Sequence, residues 1–460
     1  MVASVALVTG YLIILAVVAV RARAAREYAE FSLAKRSLPL ALIFGSLCAA
    51  YVGPGFSIGF VGKGFQGGLL FLLVGLAYSA QNILVGLFIA PRLRSLSDCR
   101  TLGDAIGRKY NRTCQILAGI ISVGLCMGFA AVMANAAGVV VQDAFGIPKW
   151  IVIVLIAIAT TLYTSFGGLR ASVMTDALQF TLFTILMPVI LLFIMFVPMR
   201  DGAAALTYEL TAATAAGFRS TSWVQILGLV VAFLLGETLI PPYANRALAT
   251  QTTGASRNSF VLAGLFSMVW FTVMISLGIL ARAIIPAGTG EDDVLLTLVK
   301  TVMPPAGYAI LLVALLSVII SSLDSLLNAG AVAFTEDVIR PFVKISDRGS
   351  LICGRAATVG IAALAAAAAV AVPSIIEGLL ICYTIWAPAI LPAAVLGLWL
   401  KKPRPLAGIL SMLTGAAVAL SFKVIWHDAM EIPAILPALA AALVAYLVGH
   451  LVSAVFVESR

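Results

Sequence analysis

The chain has 460 residues, of which 62% are hydrophobic and only 11% are charged, and its mean hydropathy is +1.10. Soluble domains carry about 25% charged residues, so this composition excludes an ordinary soluble protein and predicts an integral membrane protein. The net charge is +9, but no hydrophilic stretch of the sequence carries a basic patch, which argues against nucleic-acid binding.

Thirteen apolar stretches are long enough to span a bilayer, and we number them segments 0 to 12 in chain order. They cover about residues 4–21, 38–62, 66–91, 113–142, 149–166, 172–198, 222–243, 258–285, 305–333, 351–372, 375–399, 406–426 and 434–457. Segment 0 has no basic residue before it, whereas Arg21, Arg23 and Arg26 follow it. This pattern predicts a retained anchor with its N-terminus outside the cell.

The basic residues test this topology along the whole chain. With the N-terminus outside, the outward connections hold Lys63, Lys149, Arg200, Arg219, Arg282, Lys300 and Lys423, and the other 22 of the 29 Lys and Arg residues face inward. The bias predicts a multi-pass protein of the plasma or inner membrane with a cytoplasmic C-terminus. No soluble domain fits between the segments, so residues 1–460 form a single transmembrane domain.

Segment 1 contains the stretch YVGPGFSIG at residues 51–59, which a continuous helix does not tolerate. A proline inside a helix costs about 3 kcal/mol and each glycine about 1 kcal/mol. If Gly53 and Pro54 unwind the helix, the carbonyl groups of residues 49–52 lose their helical donors. Inside a membrane these groups need other partners. A bound cation is one possibility, and a kink repaired by water or by a neighbouring hydroxyl is the other.

Segment 6 contains a second interruption, FLLGETLIPPYANR at residues 233–246. Gly236 is followed there by the acidic residue Glu237 and then by Pro241 and Pro242. Interrupted helices in corresponding positions of two halves are typical of inverted-repeat transporters, whose binding site lies near the middle of the bilayer. Segments 1 and 6 are five segments apart, as that arrangement requires.

Segment 8 carries three serines on one helical face, because Val318, Ser321, Ser322 and Ser325 are spaced three or four residues apart. Hydroxyl, carbonyl and carboxylate oxygens are the ligands that a hard cation such as Na⁺ prefers. Serines also join membrane helices by hydrogen bonds, which is the alternative interpretation of this face. Acidic residues inside a membrane are costly and usually functional, which draws attention to Asp176, Asp324 and Glu237.

Several motifs together resemble the sodium/solute symporter family. They are FGGLRASVMTDALQF at residues 166–180, SSLDSLLNAGAVAFTEDVIRPF at 321–342, KRSLPL at 35–40 and FSIGFVGKGFQGG at 56–68. The resemblance implies an all-α integral membrane protein with about 13 transmembrane helices and two inverted five-helix repeats of the LeuT-like kind, with helices 1 and 6 broken. The repeats would span about 38–198 and 222–399, with peripheral helices at 4–21, 406–426 and 434–457. It also implies Na⁺-coupled import of a small organic solute by alternating access.

The resemblance also assigns residues. It implies a Na⁺ site formed by the carbonyls of Ala49, Val52 and Val318 and the hydroxyls of Ser321 and Ser322. A second Na⁺ or coupling site would use Asp176, Asp324 and Ser325, so that one or two ions bind. The predicted solute contacts are Phe56, Ser57, Met133, Asn135, Glu237, Tyr383 and Trp386. Glu237 would favour a cationic or amine-bearing solute, and a monomer would suffice for transport.

Other functions stay open at this point. A membrane solute sensor and a proton-coupled symporter could share the same fold. An intramembrane enzyme is disfavoured because the sequence offers no nucleophile–base pair and no cluster of metal ligands. A channel is disfavoured because paired broken helices are typical of alternating access. The sequence does not name the solute.

Overall fold

The computed structural model describes Gly10 and residues 25–195, 217–424 and 432–458. These residues form helices joined by turns, and their only bridge of the β type joins Leu38 to Thr250. Segment 0 and the connection that contains Arg200 lie outside the described residues. The all-α architecture that the sequence predicts is confirmed.

The described helices follow the predicted segments closely. Segment 1 comprises Leu40–Tyr51 and Phe60–Gly67, segment 2 Leu70–Ser95, segment 3 Arg112–Phe145, segments 4 and 5 Lys149–Met195, segment 6 Trp223–Leu235 and Pro241–Ala249, segment 7 Thr253–Ala281, segment 8 Pro305–Ile339, segment 9 Asp347–Ala369, segment 10 Ile375–Trp399, segment 11 Pro405–Val424 and segment 12 Ile435–Glu458. Short helices at Tyr28–Leu33, Leu102–Lys109 and Val294–Val302 lie in the connections.

Nine helices among the described residues are long and apolar enough to span a membrane, and the bent pair of segment 1 makes a tenth. Segments 4 and 6 contribute the shorter apolar helices Lys149–Leu162 and Trp223–Leu235. The total of thirteen spans stays a prediction, because segment 0 falls outside the described part of the chain.

Segments 4 and 5 form one run of helix that turns at Gly168. A straight helix over Lys149–Met195 would be about 70 Å long, more than twice the hydrocarbon thickness of a bilayer. Gly168 has φ 60° and ψ −167°, a conformation that residues other than glycine rarely adopt. A Cβ on this residue would lie 2.6 Å from Cα of Phe31, so a side chain is also sterically excluded. The turn separates the two segments where the sequence predicts a connection.

Segment 8 lies at the centre of the bundle. In its apolar window 89% of the residues are buried, against 28% in segment 12 at the periphery. It packs against segments 3, 5 and 9 and contacts the first half of segment 1. The serines and Asp324 of segment 8 therefore lie among protein side chains.

Segment 1 is broken where the sequence predicts it. The helix Leu40–Tyr51 ends, and the chain continues through one wide turn at Gly55–Gly59 with a bend of 55° between the two halves. At the break the N–H of Gly53 donates to the carbonyl of Ala50 at 3.1 Å, instead of to the carbonyl of Ala49 that a regular helix would use. We call residues 52–54 break 1.

Segment 6 is also broken, as predicted. The helix Trp223–Leu235 ends, and a new helix starts at Pro241. Proline is favourable in a first helical turn, because an N–H group at that position has no partner within the helix and its absence therefore costs nothing. Between them Leu239 has a φ of 54°, which is strained for a residue with a branched side chain. We call residues 236–240 break 6.

Candidate functional site

The two breaks border a small buried cavity. Its volume is about 40 Å³, enough for a few water molecules. Break 1 and the residues around it contribute Ala50, Gly53, Gly55 and Phe56, break 6 and the helix after it contribute Glu237, Ile240, Pro242, Tyr243 and Arg246, and segments 3, 8 and 10 contribute Phe129, Met133, Ser322, Ser325, Leu326 and Leu379. The cavity therefore joins the broken helices to the central helix.

The hydroxyl oxygen of Ser322 lies beside break 1. It is buried and has no hydrogen-bond partner among the described residues. It lies 3.3 Å from the place that a Cβ on Gly53 would occupy. Leaving a buried hydroxyl without a partner costs about 1–3 kcal/mol, so this oxygen is suited to bind something that the protein alone does not supply.

The other predicted Na⁺ ligands lie on the same two segments. Ala49 and Val318 are buried, and the carbonyl of Val52 accepts a hydrogen bond of 2.6 Å from the hydroxyl of Ser57. The hydroxyl of Ser321 donates to Oδ1 of Asp176. Ser322 thus differs from Ser321 in having its oxygen free, and the assignment of all five ligands stays a prediction.

A buried arginine that the sequence analysis did not single out occupies the middle of the bundle. Arg246 is only 1% exposed, and its Nη2 lies 2.9 Å from Oδ2 of Asp176. The same Nη2 donates to the hydroxyl of Ser325 at 2.7 Å, and Nε donates to the hydroxyl of Ser46 at 2.7 Å. Nη1 donates to the carbonyl of Pro242 at 3.2 Å. This Arg246 cluster ties segments 1, 5, 6 and 8 together.

The Arg246 cluster includes two of the three side chains predicted for a second Na⁺ site, Asp176 and Ser325. The third, Asp324, accepts a hydrogen bond of 2.7 Å from Thr164 in segment 4. The charge count along the sequence grouped Arg246 with the residues of the inner surface, but the structure buries it. Arg246 follows Pro242 by one helical turn in an interrupted apolar segment, and this position could have indicated that it is buried.

Glu237 is enclosed by three tyrosines. Tyr383 donates to Oε1 at 2.6 Å, Tyr243 donates to Oε2 at 2.7 Å, and Tyr78 also donates to Oε2. The carboxyl group is 3% exposed and borders the cavity. The sequence pointed to Glu237 and Tyr383, whereas Tyr78 and Tyr243 were missed because neither stands out in its segment. We call these four residues the Glu237 cage.

The remaining predicted solute contacts divide into two groups. Phe56 and Met133 line the cavity, together with Glu237. Trp386 donates from Nε1 to the carbonyl of Thr238 at 3.0 Å and so supports break 6. Asn135 donates to the carbonyl of Val372 at 2.8 Å, beyond the end of segment 9. Trp386 and Asn135 therefore serve the surrounding structure in this conformation.

Two acidic residues contact segments 1 and 10 near the end of segment 1 that follows break 1. Glu291 forms an ion pair of 2.7 Å with Lys63, which follows break 1 in segment 1. Its neighbour Asp292 accepts a hydrogen bond of 3.3 Å from the N–H of Ile375 at the start of segment 10. Burial, with the nearby Glu291 adding to it, raises the pKa of Asp292 to about 6.

Comparison with known proteins gives this arrangement a family. The sequence profile of the Sodium:solute symporter family matches residues 31–415. The chain belongs to this family. The matched range contains both breaks, segment 8 and every residue of the Arg246 cluster and the Glu237 cage. The site described above therefore lies within the part of the chain that matches the family.

Individual relatives agree with the family. The symporter is 24% identical to the sodium/glucose cotransporter of Vibrio parahaemolyticus over 86% of this chain and 79% of that protein. It is also 24% identical to the sodium/pantothenate symporter of Escherichia coli strain K12, over 68% of this chain and 67% of that protein. A solved Na⁺-coupled sialic acid symporter, in a substrate-bound outward-open state, superposes with a TM-score of 0.82 at 16% identity, covering 98% of both chains.

These matches confirm three of the expectations from the sequence. The fold is of the LeuT-like kind with broken helices 1 and 6. The protein is a multi-pass membrane transporter of the Na⁺-coupled symporter class, and it is not an enzyme. The relatives are named for different solutes, so the family does not decide which solute this symporter carries.

Proposed function

We propose that the symporter imports a small organic solute together with Na⁺ bound between break 1 and segment 8. The ligands would be the carbonyls of Ala49, Val52 and Val318 and the hydroxyls of Ser321 and Ser322. The observation that carries this proposal is the hydroxyl of Ser322, which is buried beside Gly53 and has no hydrogen-bond partner in the described part of the chain. All five groups offer neutral oxygens, the ligand type that suits a hard monovalent cation.

In this proposal Na⁺ links segment 1, which is broken, to segment 8, which is a continuous helix. Binding at break 1 would stabilise the outward-open arrangement and raise the affinity for solute, since the two ligands then favour the same state. The solute would bind at the cavity beside break 6. Because the cavity holds only about 40 Å³, the flanking segments have to separate before solute enters, as alternating access requires.

We propose that one Na⁺ accompanies each solute. The guanidinium group of Arg246 lies between Asp176 and Ser325, two of the side chains predicted for a second ion. A positive charge is thus already present there, and a second Na⁺ would have to displace it. The predicted site at Asp176, Asp324 and Ser325 would then act in coupling through movement of Arg246.

The remaining features of the proposal concern arrangement. The N-terminus would lie outside the cell and the C-terminus in the cytoplasm, with residues 38–198 and 222–399 as the two repeats. A monomer in the plasma or inner membrane would suffice, because the cavity is lined by residues of one chain.

Ser322→Ala tests the Na⁺ site, with Ser317→Ala as its matched control. Both serines lie on segment 8, but the hydroxyl of Ser317 donates to the carbonyl of Ala314 in its own helix at 2.7 Å. We expect Ser322→Ala to lower the affinity for Na⁺ about tenfold, or ~1.4 kcal/mol, in thermal-shift titrations of the purified protein. Ser317→Ala should leave the affinity unchanged. Equal Na⁺ affinity in all three proteins would remove Ser322 from the site.

Flux in proteoliposomes separates this function from its alternatives. An imposed Na⁺ gradient should drive solute uptake, and replacement of Na⁺ by K⁺ should abolish it. Uptake that follows a proton gradient in the absence of Na⁺ would establish the proton-coupled alternative. Solute binding without any uptake would instead favour a membrane sensor.

A further inference from the structure

We propose that the solute is an organic monocation whose positively charged nitrogen binds beside the carboxylate of Glu237. The inference rests on the proposed function, because it names the class of solute that the same cavity accepts. Its basis is the Glu237 cage, together with the aromatic wall of the cavity that this residue borders.

The Glu237 cage satisfies the hydrogen bonds of the carboxylate without neutralising its charge. All three tyrosine partners are neutral donors, and they occupy three of about four lone-pair positions on the two oxygens. Glu237 is 3% exposed and forms no ion pair with any residue that the structure describes, and a carboxylate buried in this way is costly. A cationic head group would supply that countercharge and could use the remaining lone pair.

The cavity wall suits an organic cation better than a second metal ion. Phe56, Phe129 and Tyr243 line the same cavity as Glu237. The rings of Phe56 and Tyr78 have centroids 4.5 Å apart, and those of Phe129 and Tyr383 are 5.8 Å apart, so the cage continues into an aromatic wall. Aromatic faces attract ammonium groups by about 0.5–2 kcal/mol each.

Arg246 does not offset this preference by attracting anions. Four of the five guanidinium hydrogens are already donated, to Ser46, Pro242, Asp176 and Ser325. A solute carboxylate would therefore have to compete with Asp176 for the guanidinium group. The cavity is in this respect a poor site for an anion.

A matched set of probes tests the class of solute. Choline, its neutral isostere 3,3-dimethyl-1-butanol and its carboxylate analogue trimethylglycine share one bulky head, and ethanolamine adds a primary ammonium group. Thermal-shift titrations of the full-length protein in Na⁺ should show at least tenfold tighter binding of a cation than of the neutral or zwitterionic analogue. Stabilisation by the neutral or zwitterionic analogue alone, or by no member of the set, would overturn the proposal.

Glu237→Gln tests the residue itself, since it keeps the shape of the side chain and removes its charge. We expect it to weaken cation binding at least tenfold while the stabilisation by Na⁺ alone persists, which also shows that the variant is folded. Ser317→Ala is the control, because the hydroxyl of Ser317 donates to the carbonyl of Ala314 in its own helix, and it should retain cation binding. Cation binding that survives Glu237→Gln would overturn the inference.

The two proposals fail in different ways. If Na⁺ does not stabilise the wild-type protein but a cation does, the Na⁺ site is wrong and the solute class stands. If Na⁺ stabilises it and the solute is neutral or anionic, the solute class is wrong. Parallel uptake of labelled Na⁺ and labelled solute decides the charge balance: two Na⁺ ions carried with one neutral solute would overturn the monocation.

Discussion

The two breaks of this symporter are alike in position and opposite in chemistry. Break 1 contains Gly53 and Pro54 and presents backbone carbonyls together with the hydroxyl of Ser322. Break 6 contains a carboxylate surrounded by three tyrosines. One break thus offers many neutral oxygens at short range, and the other offers one full charge inside an aromatic wall.

This difference teaches how one cavity could separate two cations. A small hard ion needs several oxygens close by to replace its water, and helix interruption by residues with little or no side chain allows that approach. An organic cation is weakly hydrated and gains more from a single countercharge and polarisable rings. Each break therefore suits one kind of cation and serves the other poorly.

The largest effect should come from cutting the link between the breaks. Arg246 bonds Ser46 before break 1 and Pro242 after break 6, and Asp176 is its countercharge. Asp176→Asn leaves the guanidinium buried without an anion, which costs about 3–5 kcal/mol. We expect a large fall in the thermal unfolding temperature in detergent. The double variant with Arg246→Met should recover much of it, and no recovery would show that the ion pair is not the cause.

At break 1 a methyl group should weaken Na⁺ binding while sparing the solute. In Gly53→Ala the new Cβ would lie 2.9 Å from the carbonyl oxygen of Ala50 and 3.3 Å from the hydroxyl of Ser322. We expect the Na⁺ affinity to fall about tenfold. In Gly55→Ala the clash is with the flexible end of Leu379, so solute affinity should fall a few-fold and Na⁺ affinity should stay the same. Reversed effects in titrations would show that Gly55, and not Gly53, borders the Na⁺ site.

At break 6 the removal of one tyrosine hydroxyl should lower the stability of the protein without lowering its affinity for a cation. Tyr383→Phe takes one donor from Glu237 and leaves the ring. The solute-free protein should lose about 1–2 kcal/mol of stability, whereas cation affinity should be kept or rise slightly. Tyr383→Leu also removes the ring and should lower cation affinity. If the two variants bind cations equally well, the aromatic wall contributes nothing to recognition.

The smallest effect concerns Asp292, beside the start of segment 10. The pKa of Asp292 is raised to about 6, so the folded protein binds this proton more tightly than the unfolded chain does. The free energy of unfolding should therefore decrease as pH rises from about 4 to about 6. Asp292→Asn should flatten this dependence by on the order of 1 kcal/mol. Identical pH profiles of thermal stability in both proteins would contradict it.

Local sequence signals predicted much of the site. Proline and glycine located both breaks, because their backbone preferences act within a few residues. Helical spacing placed Ser321 and Ser322 on the face of segment 8 that the structure turns toward Asp176 and Gly53. These features depend on neighbours in the chain, which the sequence displays directly.

The features that sequence analysis missed depend on contacts between distant residues. Arg246 reaches Asp176 across 70 residues and Ser46 across 200. Tyr78 reaches Glu237 across 159 residues. A tyrosine or an arginine in an apolar segment does not indicate its partner, and only the packing of the helices brings such pairs together.

The burial of segment 8 has a consequence for the influence of the bilayer. Only 28% of the window in segment 12 and 33% in segment 11 are buried, so these helices meet the lipid directly, whereas 89% of segment 8 is enclosed. Changes in bilayer thickness act on helices that contact lipid. Lipid composition can therefore tune how fast the peripheral helices allow the bundle to move, while the face of segment 8 that we propose to bind Na⁺ keeps the same surroundings in any membrane.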